Sequence, residues 1–371
     1  MGLFTPIYMK KNLSSAKWNK AYAVVRAMTD AERLTEIALK APDEGIRKAA
    51  AEALNDPDAL ARVAIEDDSD RNRVGEAAIK RLIGLGDRDA LTRAAMESRE
   101  GWRAVDVIDD EAQLAEIARK AKSGLARADA VGKVKDPAVL IAAASDTDAH
   151  VRRCAVARTD DVETLARAAL EDADKEVRAA AAKNPALNDS AALAKVALGD
   201  GERAVREAAV ENPGMTDQAA LEKIALEDEW TSVRESAIRK LDGVPALERI
   251  ANFKGKPETV SVLSLATGKT YQAEAHRTCW TAALRLSEVA PDRAVEPLVK
   301  LMKMDRDSTD DFYKRCMTDG AAFLEKHYRE TADAAVRESI AGLENGRYGD
   351  YRSDSNSCSH TDGLAHFDLE R

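Results

Sequence analysis

Cys358, His360, Asp362, His366 and Asp368 fall within eleven residues near one end of the chain. Two His-x-Asp elements beside a cysteine are side chains that metal ions accept as ligands. Their spacing matches no structural zinc pattern, and the surrounding 345–371 stretch is polar and rich in Gly, Ser and Asp. The expectation is therefore a flexible tail with incidental His and Cys, in which Cys358, His360 and His366 are only weak metal candidates. His276 and Cys279 stand three apart, and Trp280 falls on the same helix face. With no further ligands nearby, packing is their expected role.

Other catalytic chemistry is absent from the sequence. No nucleophile–base set can be read, and Gly84-Leu85-Gly86 lacks the strand and phosphate-binding helix that give a Gly-rich loop its meaning. No catalytic residue and no cofactor is expected. The four cysteines, Cys154, Cys279, Cys316 and Cys358, have no framework spacing and read as reduced thiols of a cytoplasmic protein. The net charge of −10 lacks the basic footprint of a nucleic-acid binder. No run approaches the ~20 apolar residues of a membrane span, and no secretory signal is visible. Pro6 stands where a myristoylation motif wants Ser or Thr. Lys10, Lys11, Lys17 and Lys20 meet no acidic residue in the first twenty. They read as a solvated end folding over the first layer, and more sharply as a weak anchor for an acidic partner.

The elements that carry these residues follow from a repeat. Nine copies of Leu-x-x-Φ-Ala, with Φ Ile, Val or Ala, begin at Leu34, Leu60, Leu91, Leu114, Leu140, Leu165, Leu193, Leu221 and Leu247. Internal periodicity of this kind dictates the architecture. Asp stands four residues before the Leu in every copy but the ninth, which has Gly243 there. An Asp so placed caps a helix N-terminus, and Leu, Φ and Ala then share one buried face.

A second helix follows in each unit. Its signature is Asp146…Val151-Arg152, Asp172…Val177-Arg178, Asp200…Val205-Arg206 and Asp228…Val233-Arg234. Asn-Pro at 184–185 and 212–213 ends two of these helices. The spacing between motif leucines is irregular only around residues 71–86, where the second helix is longer. Helices of ~10 residues are marginal alone, so stability must come from burial between neighbours. Only Trp102 and Trp230 are aromatic between residues 23 and 252, so the layers must be thin. A strand-bearing leucine-rich repeat would need L-x-x-L-x-L and an Asn or Cys ladder, and neither is present.

The expected fold is all-α: an α-solenoid, or superhelix, of short antiparallel helix pairs. Its parts are a leader and capping helix (1–28), with Trp18 and Tyr22 closing the open end, and about nine short repeats (29–254). Longer helices (255–344) and the polar tail (345–371) follow.

With its DxxxLxxxAL…D…VRxxAxxxL units, the chain resembles the HEAT-like repeat family, and VRAAAAKNPALNDSAALAKVAL resembles the leucine-rich variant repeat. RAVEPLVKLMKMD, with Pro297, resembles the first helix of a full-length HEAT repeat. The resemblance implies a ladder between adjacent units built from Asp146, Asp172, Asp200 and Asp228 with Arg152, Arg178, Arg206 and Arg234. It also implies a concave surface lined by second helices. The expected function is a non-catalytic, monomeric scaffold for a protein or peptide partner. Trp230, in an inter-helix turn, is the candidate anchor, the other reading being that it folds back over the adjacent layer. Two alternatives come with the family. A HEAT-like enzyme or lyase is one; its di-iron hydroxylases use His-Glu pairs, and no His here precedes a Glu. A nucleic-acid-binding relative is the other, and the acidic charge opposes it.

Overall fold

The computed structural model describes residues 6–67, 73–252, 270–304 and 311–328, with the side chains of 270–276, 303–304, 311–314, 325 and 327–328 left aside. Residues 255–269, 305–310 and 329–344 of the expected longer helices and the 345–371 tail with Cys358, His360 and His366 lie outside these residues, as does the His276 side chain. Every described element is helical, and no strand occurs among the described residues.

A 3-10 turn (Ile7–Met9) and α1 (Ser15–Arg26) come first. Pairs then alternate: α2 (Ala31–Lys40) with α3 (Glu44–Ala53), α4 (Pro57–Glu66) with α5 (Arg73–Leu85), and α6 (Arg88–Glu97) with α7 (Trp102–Val105). Next come α8 (Glu111–Lys120) with α9 (Gly124–Lys133), and α10 (Pro137–Ala143) with α11 (Ala149–Val156). They continue with α12 (Val162–Glu171) and α13 (Lys175–Lys183), then α14 (Ser190–Gly199) and α15 (Arg203–Glu211). The last are α16 (Gln218–Glu227) and α17 (Thr231–Arg239), α18 (Val244–Ala251), α19 (Thr270–Val289), α20 (Pro291–Met304) and α21 (Asp311–Tyr328). The chain forms two compact units, Met1–Met215 and Thr216–Arg371.

Each motif helix starts where its aspartate caps it. Asp30, Asp56, Asp87, Asp110, Asp136, Asp161, Asp189 and Asp217 all accept backbone N–H bonds from the first turn. At Gly243, α18 has no side-chain cap and carries a proline in its first turn instead. The Leu, Φ and Ala of all nine copies are buried. Burying a leucine contributes about 1.5–3 kcal/mol relative to leaving it exposed. The small Ala lets the partner helix approach.

In the first unit, second helices form a continuous row: α1 packs on α3, and each later member through α15 packs on its predecessor. Motif helices pack beside them. The irregular spacing has a clear origin here. α5 has 13 residues, whereas α7 has only four. The Asp110 cap follows too soon after α6 for a full second helix to fit between them. In the second unit, α17 and α18 both pack on α19, and α20 and α21 pack on α19 in turn.

Trp18 closes the first pair. Its indole N–H donates to Asp43 Oδ1 at 2.9 Å, and its ring stacks on Tyr22 with centroids 5.1 Å apart. A Cβ on Gly45 would lie 3.0 Å from Trp18 Cζ2, so the missing side chain lets the indole lie on α3.

Candidate interaction surface

The turn between paired helices concentrates polar chemistry. In the first unit, three arginines each make a two-pronged bond to an aspartate of the following pair. Arg127 Nε and Nη2 reach Asp146 at 2.8 and 2.8 Å. Arg152 reaches Asp172 at 2.7 and 2.8 Å, and Arg178 reaches Asp200 at 2.6 and 3.2 Å. The planar fork of guanidinium matches a carboxylate in this way.

The third nitrogen works backward. Nη1 of Arg127, Arg152, Arg178 and Arg206 donates to the carbonyls of Ala121, Asp146, Asp172 and Asp200 at 2.8, 3.0, 2.9 and 3.0 Å. These carbonyls stand at or just past the end of the preceding motif helix, where intrahelical partners run out. Each aspartate also accepts the N–H two residues on, at 2.8 Å: Asp148 on Asp146, Asp174 on Asp172, Glu202 on Asp200. One Asp–Arg set thus caps a helix, shapes a turn and joins two pairs.

Burial works to raise the pKa of Asp146, Asp172 and Asp200. Hydrogen bonds from the arginines and from the turn N–H groups outweigh it and hold all three below the usual carboxylate range. The hydrogen bond to aspartate raises the pKa of Arg127, Arg152 and Arg178 against their own desolvation.

In the second unit the pattern changes. Arg234 donates to the Asp228 carbonyl at 2.7 Å, but its Nε meets the hydroxyl of Thr278 on α19 at 3.1 Å. Asp228 accepts the Trp230 N–H at 2.8 Å. Trp230 is the N-cap residue of α17, is 46% exposed, and donates its indole N–H to Glu229 at 3.0 Å. Asp148 and Asp174 hold the matching place on α11 and α13.

A second polar seam was not read from the sequence. Asn184 donates to the Val156 and Thr159 carbonyls at 2.8 and 2.9 Å, and Asn212 to those of Ala182 and Asn184 at 2.7 and 2.8 Å. Arg158 caps Val134 at 2.8 Å, and Lys133 gathers the Val105, Asp106 and Ile108 carbonyls at 3.1, 2.9 and 2.7 Å. Each polar side chain satisfies the open C-terminus of the preceding second helix. The Asn of Asn-Pro is therefore a connector as well as a stop. Arg127 was missed because Ala126, not Val, precedes it. The usable signal is an Arg four residues after the helix cap, which also finds Arg47 donating to the Ala41 carbonyl at 2.9 Å.

Two of the three described thiols are buried. Cys279 and Trp280 are buried, as is Cys316, whose thiol burial pushes up to about 12. Burial also raises the pKa of the half-buried Cys154. No cluster of three or more metal-ligand side chains occurs among the described residues. No described helix is long and apolar enough to cross a membrane.

No family model matches the chain, and no curated protein matches it. Seven chains among the solved structures do. One is a crystal structure of an engineered protein, 21% identical over 81% of this chain and 98% of that one, with a TM-score of 0.16. Another comes from the computational design of self-assembling cyclic protein homooligomers, 15% identical over 88% of this chain and 91% of that one, with a TM-score of 0.11. At such TM-scores neither likeness bears on fold or function.

Proposed function

We propose that this chain is a non-catalytic scaffold, an α-solenoid of HEAT-like helix pairs that presents a concave face to a protein or peptide partner. It acts as a cytoplasmic monomer. One observation carries this reading. The side chains the repeat holds constant are engaged inside the array: the motif Leu, Φ and Ala are buried, and the turn aspartates cap helices. Some side chains that vary from pair to pair are exposed and apolar, among them Leu125, Ile141, Leu170 and Leu198. Trp230 is one of these, a large exposed aromatic at the place where α11 and α13 carry a capping aspartate. Tryptophan is enriched among binding hot spots, the residues whose truncation costs about 2 kcal/mol or more, about thirtyfold in affinity.

The test is capture on immobilised full-length protein, with the wild type and Trp230→Ala side by side and mass spectrometry of what is retained. The expected result is a specific polypeptide held by the wild type and lost from the variant at equal loading. No retained polypeptide, or equal retention by both, would overturn the reading.

A further inference from the structure

One end of the first unit differs in charge from everything after it. Between residues 1 and 29 stand Lys10, Lys11, Lys17, Lys20 and Arg26, and no acidic residue, in a chain of net charge −10. Arg26 is engaged with Glu52 at 3.1 Å. The four lysines are exposed, and none makes an ion pair among the described residues. They are also gathered in space. Asn12 takes a positive φ of 53°, a conformation Asn tolerates, in the link between the Ile7–Met9 turn and α1. The turn packs on α1, and Lys10 and Lys11 lie in the short link between that turn and the helix that carries Lys17 and Lys20.

α1 is divided lengthwise. Ala21 and Val25 are buried, and the helix packs on α3. Lys17, Lys20 and Val24, at i, i+3 and i+7, share an exposed stripe along one edge of that buried face. Val24 is 42% exposed between those lysines, and Ile7, Tyr8 and Met9 of the packed turn are half-exposed. Unpaired ammonium groups around a few open apolar side chains form an amphipathic basic surface.

We propose that this end cap adsorbs to an anionic bilayer surface. Its cations are lysines, hydrated point charges that suit a diffuse layer of headgroups, whereas paired recognition of individual carboxylates favours the arginine fork. A juxtaposed polybasic group gains attraction from each lysine near an acidic leaflet. The acidic remainder does not cancel this, since charges beyond ~8 Å are screened at physiological salt. The inference stands apart from the partner-binding face and holds whether or not Trp230 anchors anything.

Flotation of the full chain with vesicles tests it. Vesicles of phosphatidylcholine with one-third phosphatidylserine are compared with phosphatidylcholine alone, at low salt and at 0.5 M NaCl. Binding is expected only to the acidic vesicles at low salt. The Lys10→Gln, Lys11→Gln, Lys17→Gln, Lys20→Gln variant should bind about a hundredfold more weakly or worse. Its circular dichroism should be unchanged, because none of the four lysines makes an ion pair. If that variant loses helix, the Lys17→Gln, Lys20→Gln pair replaces it, with about a tenfold loss expected. No flotation with acidic vesicles, equal flotation of the variants, or binding to soluble polyglutamate without vesicle binding would each overturn the proposal.

Discussion

The run from α8 to α15 and the stretch from α5 to α7 close the same helix ends by different means. In the regular run, three Arg–Asp forks tie one pair to the next, each fork largely shielded from water. Among the described residues around α7 no such fork occurs. Arg103 lies 4.4 Å over the Trp102 ring and reaches Glu100 at 3.1 Å and Glu76 at 3.7 Å. The chain instead folds tightly on itself. A Cβ on Gly101 would fall 2.4 Å from the Ala95 carbonyl oxygen, a place only glycine can occupy. Lys133 then collects the carbonyls that end this short helix. A row of packed pairs needs each helix end satisfied and each neighbour joined. The regular units do both with one side chain, and the irregular one divides the work among several.

That contrast can be broken first at the buried face. Leu165→Ala on α12 should destabilise by ~2–5 kcal/mol in urea unfolding, because it empties a fully buried site. A change near zero would remove the motif leucine from the core. The connectors come next. Arg152→Ala should cost about 1.5–3 kcal/mol, since it strands the shielded carboxylate of Asp172 and a helix-end carbonyl. Arg103→Ala, with a side chain 37% exposed, should cost no more than about 1 kcal/mol. Equal costs at the two arginines would erase the distinction drawn between them.

The smallest effect is acid sensitivity. The folded values of Asp146, Asp172 and Asp200 lie below the ordinary one, so their stabilisation is fully present above about pH 4. It is lost as pH falls through the folded values. The arginines contribute nothing to this window, since they stay charged throughout it. Thermal midpoints measured from pH 5 to pH 2 should fall, and Asp172→Asn should flatten that fall. An identical slope in wild type and variant would mean that the fork is not formed in solution.

Much of the helical layout was legible before any coordinates. Asp30 through Asp217 announced their helices because a cap and the first turn it bonds are three residues apart. The candidate surface was less legible. Arg152 and Asp172 were both named from the family pattern, but Arg127, Lys133, Arg158, Asn184 and Asn212 were not named as connectors. Arg127 carries the cap-plus-four spacing without the preceding Val, whereas the other four reach backbone carbonyls 24 to 30 residues away, which leave no fixed local spacing to find.

The sequence by itself determined where helices start and which face of each is buried, because both depend on contacts within one or two turns. Only the tertiary structure decided that Arg152 reaches forward to Asp172 while holding the carbonyl of Asp146 behind it. It also decided that Arg234, with the same local signature, meets the hydroxyl of Thr278. A guanidinium can satisfy its donors on many acceptors. Which ones it meets is set by the helix that packs beside it.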